Sequence, residues 1–460
     1  MEQSIRPSYQ IGDTIAAIAT PPGEGGIAII RISGNNALDV AEKIFSGPVK
    51  TYKSHTVHLG KIVDERLKVI DEALVLVMLG KRSFCGEDTV EIHCHGGNIV
   101  SRKVLETAIR AGARTALPGE FSFKAFMNGK MDLIQAEAVQ ELIKAKNEMS
   151  LQAAERHLQG KLSQRISTFQ KNLTDVAAAL EAWIDFPEED LPPLSVNKIR
   201  SSLENAKEEM EKLLETFHNG KIISEGLKLC LAGSPNVGKS SLMNTLLDKE
   251  RAIVTHIPGT TRDILEDSFR LNDLNICLTD TAGIRESNEI IEAEGIRRSK
   301  KAIEESDLIL LVLDSQRGLQ EKDKELLEKI PRKKSIAVWN KTDLPHPKNL
   351  PSLPLKHVLK ISAKKRTGIE DLQKSIEDTI WRHSPPSDKE LTLTNFRHKE
   401  ALSQSLKFCK DVLEGLQMNA SPEFLAIDIR QCLNELGKII GRNVSEDILT
   451  SIFSTFCIGK

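Results

Sequence analysis

GSPNVGKSS, from Gly233 to Ser241, is the stretch on which the reading of this chain turns. Apolar LKLCLAG leads into it as a strand, and SSLMNTLL follows with apolar residues at helical spacing. A strand, a Gly-rich loop and a helix carrying G-x-x-x-x-G-K-[ST] make a Walker A arrangement. The backbone N–H groups of Asn236, Val237, Gly238 and Ser241 are placed to cradle the α- and β-phosphates of a nucleotide. Lys239 reaches the β- and γ-phosphates, and Ser240 holds Mg2+ beside the positive helix N-terminus. The plain alternative, a Gly-rich turn with no ligand, has both motif and context against it.

Outward from the loop, RAIVTHIPGTTRD supplies Thr255, His256, Ile257, Pro258, Gly259, Thr260 and Thr261, a switch-like segment whose Thr261 hydroxyl would close on Mg2+ under a γ-phosphate. The hairpin-like ILEDSFRLNDLNICLTDTAG ends in Asp280, Thr281, Ala282 and Gly283, which resemble the switch II motif of small GTPases; the resemblance implies that Asp280 acts on the Mg2+ shell and that the Gly283 N–H senses the γ-phosphate. Apolar DLILLVLD and SIAVWNKTD follow as buried strands. The second delivers Asn340, Lys341 and Asp343, whose carboxylate accepts from the N1–H and 2-amino group of guanine, a pairing adenine does not offer. ISAKK adds Ser362, Ala363 and Lys364 for the other side of the base. Each tetrapeptide alone is weak; five in this order read as a GTP-binding domain. After DTAG stands Ile284, where Ras-like enzymes place a Gln that orients the attacking water, so hydrolysis needs another arrangement. Asn236 and the RAIVTHIPGTT loop offer oxygen ligands for a cation that would balance phosphate charge.

Length and texture place this block inside something larger. With 460 residues the chain reads as about three domains. Its 63 basic and 65 acidic side chains leave a formal charge of -2, so any RNA contact must come from local patches rather than an overall field. Basic helix residues such as Lys144, Lys146, Arg156, Lys161 and Arg165 read first as ordinary solvated faces. Seven scattered cysteines without a CxxC pair, no long apolar run and no signal pattern give a reduced, cytoplasmic chain off the membrane as the expectation.

Residues 1–118 alternate short β-like runs with turns and two helical patterns, an α+β domain with a substantial sheet. Residues 119–220 are long amphipathic helices, broken at DFPEEDLPPL; 221–383 are the α/β block; 384–460 return to helices. The simplest architecture is a helical domain split by an inserted Ras-like P-loop domain. A linear string of independent domains is the alternative.

The same residues carry a resemblance. GSPNVGKSSLMN, AIVTHIPGTTRD, DTAGIRES and the terminal FCIGK, together with ATPPGEGGIAIIRISG, FCGEDTVEIHCHGG, PGEFSFKAFMNGKMDLIQAEAV and AWIDFPEED, resemble the MnmE (TrmE) family of tRNA modification GTPases over essentially the full chain. The resemblance implies a homodimer with an N-terminal tetrahydrofolate-binding and dimerisation domain. It also implies a flavin-dependent partner, MnmG (GidA), and an aminomethyl-type group installed at C5 of the tRNA wobble uridine. The one-carbon donor it implies is 5,10-methylenetetrahydrofolate or 5-formyltetrahydrofolate. It further implies K+ held by Asn236, Thr255, Ile257 and Thr260, Mg2+ held by Ser240 and Thr261, and a hydrolytic Glu at Glu292. Arg31, Glu91, Lys130 and Lys460 fall where the family binds folate, and Cys457 where it keeps a cysteine tied to the modification.

Without the resemblance, Arg31, Lys130 and Lys460 read as solvated residues and Cys457 as a half-buried small hydrophobe. His93 and His95 share a strand face, but no further ligands at a metal spacing accompany them. Three positions depart from the family pattern. Cys85 stands for Thr in the GED motif, Lys124 for Arg, which puts any bidentate anion contact there in doubt, and His256 for Asp beside the implied K+ ligands. Two other functions compete: a ribosome-assembly switch of the Era or Der kind, for which no KH-like GxxG loop is found at the C-terminus, and a folate-binding scaffold regulated by nucleotide.

Overall fold

The computed structural model describes residues 9, 12–185, 193–249, 267–271, 274–280, 301–347, 349–381 and 390–460. The chain divides into two compact units: Met1–Lys144, Ala154–Glu208 and Ala401–Lys460 form one, Ala145–Ala153 and Glu209–Glu400 the other.

The first unit holds a six-stranded sheet built from β1 (Ile15–Ile18), β2 (Ile27–Ser33), β3 (Thr56–Val63), β4 (Val69–Met78), β5 (Thr89–His95) and β6 (Arg114–Thr115), in the order β3-β4-β5-β2-β1-β6. All neighbours are antiparallel except β1 and β6. The period of two sends Ile30, Ile32, Val75, Val77, Val90 and Ile92 into one core with the helices Ala37–Ile44 and Asn98–Arg110. The other face leaves Val57, Leu59 and Leu74 at 54%, 67% and 41% exposure. Strand β3 is the element the sequence reading passes over. Its HTVHLGKIV pattern mixes polar and apolar residues because it is an edge strand that turns Val57 and Leu59 outward.

In the same unit the helix Lys161–Asp185 packs along Pro422–Ile440. Ile166, Phe169, Leu173, Val176 and Leu180, spaced by three and four, are its buried stripe. The helix Glu446–Ser454 leads Phe453 and Phe456 into a cluster with Phe123 and Leu133.

Two departures from the family pattern are resolved here. Cys85 is fully buried beside Ile15, Ala17 and Phe121, and burial pushes its thiol up to about 11, so it acts as a small apolar side chain. Lys124 is also fully buried; its Nζ donates to the Asp13 carbonyl at 2.5 Å and to Glu87 Oε2 at 2.9 Å. The cation at this position is therefore spent on an internal pair with the GED motif. Removing one partner of such a pair strands the other. Lys124→Met should cost about 3 kcal/mol or more and lower the melting transition by roughly 6–12 °C in differential scanning calorimetry.

The second unit holds β7 (Leu227–Ala232), β8 (Asp267–Leu271), β9 (Leu274–Asp280), β10 (Leu308–Asp314), β11 (Ser335–Asn340) and β12 (His357–Lys360), in the order β12-β11-β10-β7-β9-β8. Every pair is parallel except β8 with β9, the hairpin that the sequence pattern indicates. Both faces are covered: Leu229, Leu231, Leu310 and Val312 enter one core, and Cys230, Ile309, Leu311 and Leu313 the other. This is why β10 reads as an unbroken apolar run. The parallel strands point their C-terminal ends to one edge, where their loops meet. Among the described residues, no helix is long and apolar enough to cross a membrane.

Candidate functional site

Three loops converge at the C-terminal edge of the second sheet. The first runs from β7 to the helix Lys239–Lys249 and carries GSPNVGKSS. It turns sharply because Gly233 and Gly238 sit at φ +148 and +96, and Asn236 itself at φ +62. A Cβ on Gly238 would collide with the Asn340 amide, so only glycine allows the base-side loop to close on the phosphate loop. Lys239 is buried, and its Nζ donates to the carbonyls of Gly233 (2.7 Å) and Ser234 (3.0 Å). The ammonium is thus held over the loop it serves. Ser240 lies exposed in the first turn of the helix, beside the positive end of its dipole. Ser241 is exposed one residue further, and its carbonyl accepts from Thr245 Oγ1 at 2.8 Å.

Asn340, the last residue of β11, joins the first loop to the third. Its Nδ2 donates to the Val237 carbonyl at 3.0 Å while its Oδ1 accepts from the Ala363 N–H at 3.0 Å. Lys341, at φ +65, donates from Nζ to the Asn236 carbonyl (2.6 Å) and to Asp314 Oδ2 (2.7 Å). Burial works against charge on Asp314, yet the Lys341 bond and the Gln316 N–H outweigh it and hold the carboxyl below the usual range. Ser362 Oγ donates to Asp343 Oδ1 at 2.6 Å, and this bond is the leading cause that holds the Asp343 carboxyl below its usual range. The carboxylate therefore remains an ionised acceptor for the N–H groups of a base. Lys364 is exposed beside it.

The structure thus brings Asn236, Val237, Gly238, Lys239, Asn340, Lys341, Asp343, Ser362 and Ala363 into one network. Thr255, His256, Ile257, Pro258, Gly259, Thr260, Thr261, Thr281, Ala282, Gly283, Ile284 and Glu292 lie outside the described residues, as does the side chain of Asp280, whose backbone ends β9. Two contributors were not read from the sequence. Asp314 ends β10, and an acid closing a buried apolar strand was the available signal. Asp323, 2% exposed, accepts from Ser234 Oγ at 2.6 Å and also caps its own helix, Glu321–Lys329. That pairing across 89 residues has no local signal.

In the first unit, β2 and β5 pair with Arg31 opposite Glu91, and Arg31 Nε donates to Glu91 Oε1 at 2.8 Å. The Arg31 guanidinium lies 5.7 Å from the Phe84 ring centroid and 5.6 Å from that of Phe121, and it donates to the Gly459 carbonyl at 3.4 Å. Burial, then the Arg31 charge, push the Lys460 ammonium below its usual range, against the pull of Glu91. Arg31, Glu91 and Lys460 therefore share one neighbourhood. Among the described residues Lys130 forms no bond to them; its Nζ donates to the Lys81 carbonyl at 2.5 Å.

Cys457 differs from the half-buried packing residue of the sequence reading: it is exposed. Phe456 takes the packing position, and the Cys457 carbonyl accepts from the N–H groups of Gly119 and Lys460, both at 3.3 Å, so backbone bonds fix the turn while the thiol faces outward. His93 Nε2 is buried 3.5 Å from Glu91 Oε2 without a hydrogen bond, and His95 Nδ1 lies 2.8 Å from Asp71 Oδ1. Among the described residues no group of three or more His, Cys, Asp or Glu could hold a metal ion.

The family model "MnmE helical domain" matches residues 133–457, and "GTP-binding protein TrmE N-terminus" matches residues 14–130. The chain is 60% identical over 456 residues to a tRNA modification GTPase MnmE of Protochlamydia amoebophila, covering 99% of each. It is 43% identical to that of Clostridioides difficile, over 98% of this chain and 100% of the relative. Among solved structures, Era of Aquifex aeolicus bound to GDP·AlF4 is 27% identical, with 39% of this chain and 65% of that one covered at a TM-score of 0.26. The G domain of the T. maritima FeoB iron transporter is 26% identical, with 33% and 98% covered at a TM-score of 0.23. With a phosphate loop tied through Asn340 to a guanine-type acidic loop, and matches that run along nearly its whole length, this chain belongs to the MnmE family of tRNA modification GTPases.

Proposed function

We propose that the chain hydrolyses GTP as a homodimer and, with the flavoprotein MnmG (GidA), adds an aminomethyl or carboxymethylaminomethyl group at C5 of the wobble uridine of certain tRNAs. The observation that carries the nucleotide half is the Asn340 bridge, which sets the Asp343 carboxylate at a fixed reach from the phosphate loop. Guanine is selected by Asp343 and flanked by Ser362, Ala363 and Lys364. The phosphates lie on Asn236 to Ser241, Mg2+ is held by Ser240 and Thr261 near Asp280, and Gly283 meets the γ-phosphate. Thr255 to Thr261 close over the nucleotide, and Glu292 assists the attacking water. The division into 1–118, 119–220, 221–383 and 384–460 belongs to the same reading, as does a cytoplasmic location.

The second half concerns a reduced folate, either 5,10-methylenetetrahydrofolate or 5-formyltetrahydrofolate, which supplies the one-carbon unit. The first-unit residues fit such a group: the pair of aromatic rings about Arg31 suits a flat heterocycle, Glu91 and the unpartnered His93 Nε2 suit its N–H and carbonyl groups, and Lys460 and Lys130 suit its glutamyl carboxylates. The exposed Cys457 stands in the turn that delivers Lys460 and supports a part in the modification. The apolar outer face of the first sheet supports a dimer formed by this domain.

The cation part of the proposal replaces the absent Gln after DTAG. Asn236, Thr255, Ile257 and Thr260 would hold K+, which would supply a positive charge against the phosphates as two G domains pair. GTP turnover should then be at least about tenfold faster in KCl than in NaCl at equal ionic strength. Equal rates would remove K+ from the account.

A further inference from the structure

The edge of the second sheet opposite the nucleotide site carries a recess of about 440 Å³, the size of a small-ligand pocket. It opens at the N-terminal ends of β11 and β12, where Ile336 pairs with His357. Five residue steps along β11, at about 3.3 Å each, separate Ser335 in its lining from Asn340 by roughly 17 Å. It is therefore distinct from the phosphate loop.

Its walls are cationic. Arg332 and Lys333 project from the short turn Arg332–Lys334, and Lys356 comes from the segment before β12. The turn is anchored: Lys334 Nζ donates to the Ser306 carbonyl at 2.5 Å and Ser335 Oγ to the Pro331 carbonyl at 2.7 Å. Lys334 is thus spent on structure, whereas the side chains of Arg332, Lys333 and Lys356 form no ion pair or hydrogen bond among the described residues, in a molecule where many other cations do. His357 lines the same recess, and its buried Nε2 has no partner among the described residues. Three cationic side chains share the recess with a single lining carboxylate, Asp378. With a near-neutral chain overall, this is a local positive patch of the kind that an RNA contact would require.

We infer that this recess is an anion site that takes a backbone phosphate of the tRNA. The inference rests on the reading of tRNA as the substrate. Arg332, Lys333 and Lys356 neutralise the phosphodiester, so the contact positions the RNA without reading sequence. It also places the RNA on the edge of the G domain that nucleotide does not occupy.

The test uses the full-length protein and fluorescently labelled tRNA, with affinity measured by anisotropy between 50 and 200 mM KCl. Arg332→Ala/Lys333→Ala/Lys356→Ala should weaken binding at least about tenfold at low salt and make the slope of log affinity against log salt shallower by about 1. Asp378→Asn should tighten binding. Basal GTP hydrolysis and GDP affinity of the variants should match the parent, which shows that the G domain is folded. Parental affinity and slope in the triple variant, or weaker binding by Asp378→Asn, would overturn the inference while leaving the substrate reading intact. Failure of the parent itself to bind tRNA would overturn both.

Discussion

Asp343→Asn should lower affinity for GTP on the order of 10³-fold and restore binding to xanthosine triphosphate. The Asp343 carboxylate offers only acceptors, and the Ser362 hydroxyl that donates to its Oδ1 keeps it ionised, so guanine N1–H and 2-amino groups both find a partner. An amide turns one of those acceptors into a donor, which confronts the guanine 2-amino group donor to donor. Xanthine carries an oxygen at that position and accepts from the amide instead. The pH dependence follows from the same bond. A carboxyl held below its usual range loses its charge only as pH falls through that depressed value, so affinity for GTP should stay flat from pH 8 to about pH 5. Competition of GTP and xanthosine triphosphate against a fluorescent nucleotide checks both. An Asn variant that keeps the parental preference for GTP would remove Asp343 from base recognition.

Lys239→Ala should reduce kcat for GTP about 10²–10³-fold. Its ammonium is desolvated and sits within bonding distance of the Gly233 and Ser234 carbonyls, which fix it over the loop without neutralising it. Charge that develops on the β–γ bridge and γ-oxygens then meets a cation in place, with little reorganisation. Because the loop is also held by Asn340 and Lys341, through the carbonyls of Val237 and Asn236, the variant should keep its fold and bind GDP. Single-turnover hydrolysis measures the chemical loss apart from binding. A parental rate in this variant would place catalysis elsewhere.

How much of this was legible in the sequence differs between the two units. The nucleotide loops are local words: a strand run, a turn and a helix that declare themselves within a dozen residues, which is why β7, β11 and the β8–β9 hairpin fall where the pattern puts them. What joins those words is tertiary. Asn340 reaches Val237 because β10 lies between β7 and β11, and Asp323 reaches Ser234 across the same edge; neither strand order nor helix placement is written in local spacing. The Arg31–Glu91 pair is further from sight. Its partners are 60 residues apart and meet only through the antiparallel register of β2 and β5, so residue type alone gave two ordinary charges and only family resemblance singled them out. Edge strand β3 and the outward turn of Cys457 were obscured for one physical reason. An apolar residue that faces solvent in the protomer looks, in sequence, like one that packs.

The central claim is that GTP turnover at the phosphate loop is what the tRNA modification consumes. It is tested most directly by replacing the cellular copy with Lys239→Ala and measuring wobble-uridine nucleosides of total tRNA by mass spectrometry at matched protein levels. The account predicts that the C5-aminomethyl family of uridines disappears and that unmodified wobble uridine takes its place. Parental levels of the modified nucleosides, in cells whose variant protein no longer hydrolyses GTP, would contradict it.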